Sequence, residues 1–403
     1  MSAPPSHHPL DLEQSPRWAD TPRLALAECT AAFERTSSGT VGAEEELMLV
    51  CPETLDLAPA NEQVLSWLGG APEFQRELRA SQIEIVTPVC RNAAGIEAAL
   101  IAGRRRLLHA LAGRLAVVSA GAHPFARDYG MLSDNYRYRM IEDEYRWATR
   151  RSVLCGLHVH IGVGGADRTL AVYNAMRSFL PEVAALAANS PFFEGEDTEL
   201  CSIRPKLLEA LSRTGVPPVF PCWADFVAFL DWGRSGGLFP DGSFLWWDLR
   251  PHTGFGTLEL RAADAQTRVE DAAAIAGFAQ TIVAWLAERF DREGALPIHD
   301  GHRIAENAWR AMRYGVRGEL VDLDSGRREP TRERIGRLLE TLAPIADELG
   351  NTSQLEAAGV LLAGNGADRQ RYVAKRDGLA GLVSWLACET AELPIPVSAR
   401  ARV

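Results

Sequence analysis

Residues 153–163 read VLCGLHVHIGV. Side chains alternate faces along a β-strand. Leu157, Val159, Ile161 and Val163 therefore line one face, while His158 and His160 line the other. The same split recurs on both sides of this stretch. In VGAEEELMLV (41–50), Glu44 and Glu46 share a face with Gly42, Met48 and Val50, and Glu45 falls on the face of Val41, Ala43, Leu47 and Leu49. In ASQIEIVTP (80–88), Ile83 and Ile85 oppose Gln82 and Glu84. In TLELR (257–261), Leu258 and Leu260 oppose Thr257, Glu259 and Arg261. In FLWWDLR (244–250), Trp246, Asp248 and Arg250 oppose Trp247 and Leu249. The link Pro251–Gly256 reads as a hairpin loop joining these last two strands.

A solvated strand face usually mixes Lys, Thr, Ser, Gln and Glu. Here the polar faces carry Glu, His, Asp and Arg, with no Lys. Clustered carboxylates taken out of water are costly unless paired or bound to cations. Residues i and i+2 of a strand stand roughly 6.7 Å apart. That spacing grips neighbouring hard cations, which sit about 3.5–4 Å apart in multi-metal sites. Carboxylate-rich sets suit Mg²⁺ or Mn²⁺, and imidazole suits the latter as well. Arg250 and Arg261 add fixed donors for phosphate or carboxylate oxygens.

The rest of the chain bounds what such a face can serve. Of 403 residues, 47% are hydrophobic and 24% charged, which excludes a disordered, collagen-like or disulfide-miniprotein chain. Lys+Arg number 42 against 53 Asp+Glu, a formal charge of −11, so no global field draws in nucleic acid or an anionic membrane. An anionic substrate must then be held locally, by arginines or by bound cations. The seven cysteines are scattered with no CxxC, which predicts buried, reduced thiols. The opening MSAPPSHHPLDLEQSP has neither the charged nor the apolar region of a secretory signal. The apolar run Ala272–Ala287 falls short of the ~20 residues that span a bilayer. These features predict a cytoplasmic protein with no membrane or nucleic-acid partner.

Residues 1–38 read as a polar tail with one short helix, Pro22–Arg35, and residues 39–403 as a single domain. Further helices are expected over Ala94–Arg114, Asp134–Arg150, Ala166–Asn189, Trp223–Gly233, Val269–Arg289, His299–Tyr314, Thr331–Leu349 and Asp368–Thr390, with Asp134 and Thr331 as N-caps. Strands are expected over Thr40–Cys51, Arg76–Pro88, Ala116–Ala120, Val153–Val163, Phe244–Arg250 and Thr257–Ala262. Strands and helices do not alternate regularly, which favours α+β with a mainly antiparallel sheet. There is no GxGxxG and no GxxxxGK[ST], so a bound nucleotide needs another cradle.

The order E-x-E, H-x-H, E-x-R on sheet strands resembles the glutamine-synthetase-like ligase fold. More closely, the chain is similar to the type 2 glutamate–cysteine ligase family, in its carboxylate–amine ligase branch. The blocks that carry the likeness run from Val41 to about Gly315: VGAEEELMLV, SQIEIVTPVC, AHPF, NYRYRMI, CGLHVHIGV, SIRP, RTGVPP, WWDLRP, FGTLELRAADAQT and AWRAMRYG. The resemblance implies a saddle-like, mainly antiparallel sheet flanked by helices. It implies ATP-dependent joining of a small-molecule acid to an amine through an acyl phosphate, with Mg²⁺ or Mn²⁺. It places metal ligands at Glu44, Glu46, Glu84, His158 and Glu259, an ATP contact at His160, and phosphoryl-group contacts at Arg250 and Arg261. Arg204 falls at a phosphate or substrate contact. Arg310 and Arg313 fall where a substrate carboxylate is held, and His123 and Tyr138, followed by Arg139, in the substrate cleft. Arg204 can equally form a structural ion pair, Arg310 and Arg313 can equally be helix-surface residues, and His123 a loop residue with its own partners. Glu45, on the apolar face, takes no ligand role. Glu199 and Ile203 stand where the family text carries a glycine and an aromatic, and Phe193 replaces a tryptophan. A homodimer and higher oligomers both remain open. A metal-dependent hydrolase and a non-catalytic nucleotide-binding protein are the alternatives. The first usually sets H-x-H early, with isolated histidines at later strand ends; here His252, His299 and His302 fall in a turn and a helix entrance. The second tends to lose such residues.

Overall fold

The computed structural model describes residues 26–127, 130–151 and 153–393. The expected tail and the first turn of its helix lie outside the described residues. The helix itself is Leu26–Arg35, and its Phe33 is fully buried in the main core, edge-on to Trp223 at 4.7 Å.

Seven strands form one antiparallel sheet: β1 (Val41–Val50), β2 (Phe74–Arg76), β3 (Gln82–Val86), β4 (Ala116–Val118), β5 (Gly156–Ile161), β6 (Leu249–His252) and β7 (Thr257–Asp264). Their spatial order is β6-β7-β5-β1-β3-β2, with β4 pairing the far end of β1. The α+β class with a mainly antiparallel sheet is what the strand alternation predicts. On one face Val41, Ala43, Leu47, Ile83, Ile85, Leu157, Val159, Leu258 and Leu260 are buried in a single core. The helices Ala93–Leu111 and Val269–Glu293 contribute to the same core.

The Val269–Glu293 helix has 25 residues and is long and apolar enough to cross a membrane, which corrects the shorter 272–287 run. Its most apolar window is 78% buried inside the protein, so it serves as a core helix.

Other boundaries move for local reasons. The expected helix Ala166–Asn189 is broken by a 3-10 turn, Arg177–Phe179, just before Pro181. Asp134 does not cap its helix. Asn135 does, accepting from the Arg137 N–H at 2.9 Å, while Asp134 pairs with Arg139. Thr331 is the first helical residue after Pro330 and not the cap. The expected strand 76–88 is two strands, β2 and β3, and Phe244–Arg250 is interrupted at Asp248. The helices Asn61–Trp67 and Thr352–Leu361 were not foreseen; Asn61 and Asn351 both carry buried hydrogen bonds there. All seven cysteines are free, but Cys222 and Cys388 are exposed, so burial of every thiol does not hold.

Glu199 has a φ of 59°. This is the left-handed region that glycine adopts without a Cβ clash. The turn therefore explains why a glycine belongs at this position.

Candidate metal and nucleotide site

The register places the polar residues in rows across the second face. Glu44 stands opposite His158, Glu46 opposite Glu84, Glu259 opposite His160, and Arg250 opposite Glu259. All of these except Glu44, which is half-buried, are buried. Gly42, opposite His160, leaves that row open.

One carboxylate bridges the two histidines. Glu44 Oε2 lies 3.1 Å from His158 Nδ1, and Glu44 Oε1 lies 3.2 Å from His160 Nε2. His158 Nε2 is 3.7 Å from Glu46, and His160 Nδ1 is 3.0 Å from the Thr257 hydroxyl. Nε2 of both histidines is buried; among the described residues that of His158 makes no hydrogen bond, and that of His160 has only the carboxylates of Glu44 and, at 4.0 Å, Glu259 beside it. Among the described residues, three sets of side chains bring ligand atoms within 4.8 Å of one another: Glu44 with Glu84 and His158, Glu44 with His160 and Glu259, and Glu46 with Glu77 and Glu84. Carboxylates with imidazole suit Mg²⁺ or Mn²⁺. The unbonded His158 Nε2 and the crowded carboxylates fit such ions.

The electrostatics divide the strip. Burial alone would raise the Glu44 carboxyl, but hydrogen bonds from His158 and His160 hold it far below the usual range. Burial also works to raise Glu259, and Arg250 and Arg261 overcome it. Arg250 grips Glu259 through two nitrogens, and Arg261 Nη1 donates to it at 2.6 Å. At the other end, no ion pair holds Glu77 or Glu84 among the described residues. Burial, then Glu44 and Glu77, push the Glu84 carboxyl well up, and burial with Glu46 raises Glu77 to about 8.

Arg204 reaches this face from a short helix, Arg204–Leu208. Its Nη1 donates to the Arg261 carbonyl at 3.1 Å, and its Nε is buried and unpartnered. Gly156 makes the approach feasible: a Cβ there would stand 2.3 Å from Arg204 Nη2. The Gly156 N–H donates to Glu46 at 2.5 Å, fixing that carboxylate.

Next to Glu44 and His160 opens a cavity of about 610 Å³. Val41, Gly42, Val86, Val89, Phe255 and Thr257 are among its walls. Phe255 is 58% exposed and stacks on His252 at 4.4 Å, beside His160.

The structure does not bring four expected residues into this cluster in the same way. His123 is buried in its own loop. Nε2 meets the Leu55 carbonyl at 3.0 Å, and Nδ1 accepts from the Phe125 and Ala126 N–H groups. Both nitrogens are in use, as in the loop alternative. Arg310 donates to the Glu319 carbonyl at 2.6 Å, just past its own helix end, and Arg313 pairs with Glu199 at 3.2 Å, tying the helix to a distant turn. Tyr138 donates to the Arg76 carbonyl at 2.8 Å; burial, with Glu77 and Glu84 nearby, raises its hydroxyl, so it borders the acidic end.

Sequence reasoning missed Glu77 and Phe255. Glu77 sits in the turn between β2 and β3, where strand alternation cannot be read. Seven residues from Glu84, it would fall on the opposite face of a single strand, so the alternation gave no signal for it.

Comparison with known proteins places this arrangement. A family model described as glutamate–cysteine ligase family 2 matches residues 40–384. A provisionally named glutamate–cysteine ligase 2-3 of Rubrobacter xylanophilus is 41% identical over 363 residues, covering 87% of this chain and 97% of the relative. A similarly named protein of Gloeobacter violaceus is 34% identical, covering 85% and 94%. Among solved structures, the glutamate–cysteine ligase of Francisella tularensis in complex with AMP superposes with a TM-score of 0.65 at 13% identity, covering 91% of this chain and 92% of that one. A bifunctional glutathione synthetase from Pasteurella multocida gives 0.59 at 13% identity, covering 91% and 54%. Both structures share the fold. The class is that of the ATP-dependent carbon–nitrogen ligases. Within it, the chain belongs to glutamate–cysteine ligase family 2.

Proposed function

We propose that residues 39–403 form one catalytic unit that uses ATP to activate an amino-acid carboxylate and join it to an amine. Glutamate and cysteine, named in the relatives, are the first pair to test. The observation that carries the reading is the strip of Glu44, Glu46, Glu84, His158, His160 and Glu259 on one antiparallel face, with Glu77 in the adjoining turn and the His158 Nε2 buried without a hydrogen bond.

The apolar cavity accepts the nucleobase, with Phe255 as a stacking wall and Glu44 and His160 at its inner edge. Mg²⁺ held by the three carboxylate groups would neutralise the triphosphate. The substrate carboxylate attacks the γ-phosphorus, ADP leaves, and an acyl phosphate results; the amine then displaces phosphate. Arg261 and Arg250 sit beside Glu259 and hold the oxygens on which charge builds. Arg204, with an unpartnered Nε, binds a further anionic oxygen.

The test is ADP release by the pure protein with ATP, Mg²⁺ and L-glutamate plus L-cysteine, then with panels of acids and amines. Acid-dependent ADP formation is expected. No ADP with any pair, together with no ATP binding by calorimetry, overturns the reading.

A further inference from the structure

Arg250 and Glu259 close one end of the strip, and the Arg250 guanidinium is almost fully committed. Nε and Nη2 donate to Glu259. Nη1 donates to the Ser243 carbonyl at 2.8 Å and to the Leu245 carbonyl at 3.1 Å. A guanidinium has five N–H donors. These contacts place all but one of them, so the last, on Nη2, points in a direction the protein fixes. Glu259 alone does not set that direction, because Arg261 draws on the same carboxylate at 2.6 Å. The turn that supplies the Ser243 and Leu245 carbonyls sets the other edge.

That turn is gripped in its turn by Arg137, from the first turn of the helix Tyr136–Tyr145. Arg137 Nη1 donates to the Ser243 hydroxyl, and Nη2 donates to the Ser243 carbonyl at 3.1 Å. Its guanidinium carbon lies 4.3 Å from the centre of the Phe244 ring. The Ser243 carbonyl therefore receives Arg137 and Arg250 together, one for each lone pair. Asp241 accepts the Ser243 N–H at 2.7 Å, and Arg213 Nε donates to the Phe244 carbonyl at 3.1 Å, so the turn has supports besides Arg137. Arg139, two residues on, pairs with Asp134 at the surface. Arg137 is thus the arginine of the NYRYRMI block that turns inward. Its neighbour Tyr138 meets the Arg76 carbonyl, beside Glu77, at 2.8 Å. One helical turn ties the acidic end of the strip to Arg250.

We propose that Arg137 is a positioning residue for phosphoryl transfer: through the Ser243 carbonyl it fixes Arg250, and with it the one Arg250 donor left for a γ-phosphoryl oxygen. This rests on the nucleotide reading above. Arg137 acts through Ser243 and not on the substrate. Without it the Ser243 carbonyl keeps Arg250 alone, while Asp241 and Arg213 still hold the turn. The carbonyl is then free to shift, and Arg250 to follow it. A misplacement of about 1 Å in a catalytic group can cost on the order of 100-fold. The loss falls on the terminal phosphoryl group and spares the base and the first two phosphates, which Arg250 does not hold.

The probe is MgADP, titrated by calorimetry with and without beryllium fluoride as a mimic of the γ-phosphoryl group. In Arg137→Met the fluoride complex should weaken at least ~10-fold, while MgADP alone stays within about twofold of wild type. Arg137→Lys keeps the charge but presents a single nitrogen, and should recover part of the loss. It also carries the test if Arg137→Met does not fold. With Arg250→Lys already present, Arg137→Met should add less than about twofold, because residues that act through one another do not add. An unchanged fluoride complex in Arg137→Met, an equal loss of MgADP, or a full further loss on top of Arg250→Lys overturns the assignment. Wild type that binds MgADP equally with and without the fluoride overturns the Arg250 contact with the γ-phosphoryl group, and the Arg137 role with it. No MgADP binding by the wild type overturns the nucleotide reading itself.

Discussion

The two faces of β1 carry three consecutive glutamates with opposite fates. Glu45, on the core face, meets Arg104 through two nitrogens at 2.9 and 2.6 Å. Arg104 spends its remaining donors on the Gln266, Thr267 and Thr390 carbonyls, so charge and hydrogen bonds are complete. Glu44 and Glu46, on the other face, share His158, whose Nε2 has no hydrogen bond, and crowd against Glu84 and Glu77. A buried ion pair with every donor used locks helix to sheet. A buried cluster with excess negative charge and idle ligand atoms stores a demand for cations. One residue of register separates the two, because side chains alternate.

Several substitutions break or sharpen this contrast. Arg104→Ala strands a buried Glu45 and three carbonyls, and should lower stability by about 3–5 kcal/mol in denaturant unfolding. A loss under 1 kcal/mol would mean the core face is not closed as described. Glu84→Gln should do the reverse. Turnover falls at least ~100-fold, while the cation-free protein gains about 1 kcal/mol because a neutral amide escapes the cost of protonating a buried carboxylate. A destabilised Glu84→Gln would show that the cluster is already balanced. Mn²⁺ or Mg²⁺ at 100 times its Kd should stabilise the wild type by about 2.7 kcal/mol, with protons released at pH 7, and EDTA should reverse both. Proton release follows because Glu77 and Glu84 are raised and must ionise to bind.

The pH dependence follows the same sign. Glu77 is raised from 4.5 to about 8, so the folded state binds more protons than the unfolded one in between. Its contribution is therefore fully present below about 4.5 and is lost as pH rises through about 8. Cation-free wild type should lose stability over that window, and Glu77→Gln should flatten the slope. The smallest effect is expected at the cavity. Phe255→Ala removes a stacking wall and should raise the KM for ATP roughly 5–10-fold; no change would place the nucleobase elsewhere.

Much of the site was legible because β-strands write their faces in plain alternation. His158, His160, Glu44, Glu46, Glu84 and Glu259 do face one another across neighbouring strands. Glu77 was not legible, since turn residues carry no periodicity. His123, Arg310 and Arg313 were named through short blocks of likeness; the structure gives them other partners, Leu55 for His123, Glu319 for Arg310 and Glu199 for Arg313. Membership in a family does not say which side chains of a block converge.

What the sequence determined alone is local: strand period, the polar and apolar faces, and the separation of Glu45 from its neighbours. Backbone sterics and burial act over a few residues and leave their pattern in the chain. Tertiary structure decided what meets across long separations. Arg250 and Arg261 close on Glu259, and Arg204 enters over Gly156. Those outcomes depend on register between strands and on which helix packs where, and neither is encoded at any single position.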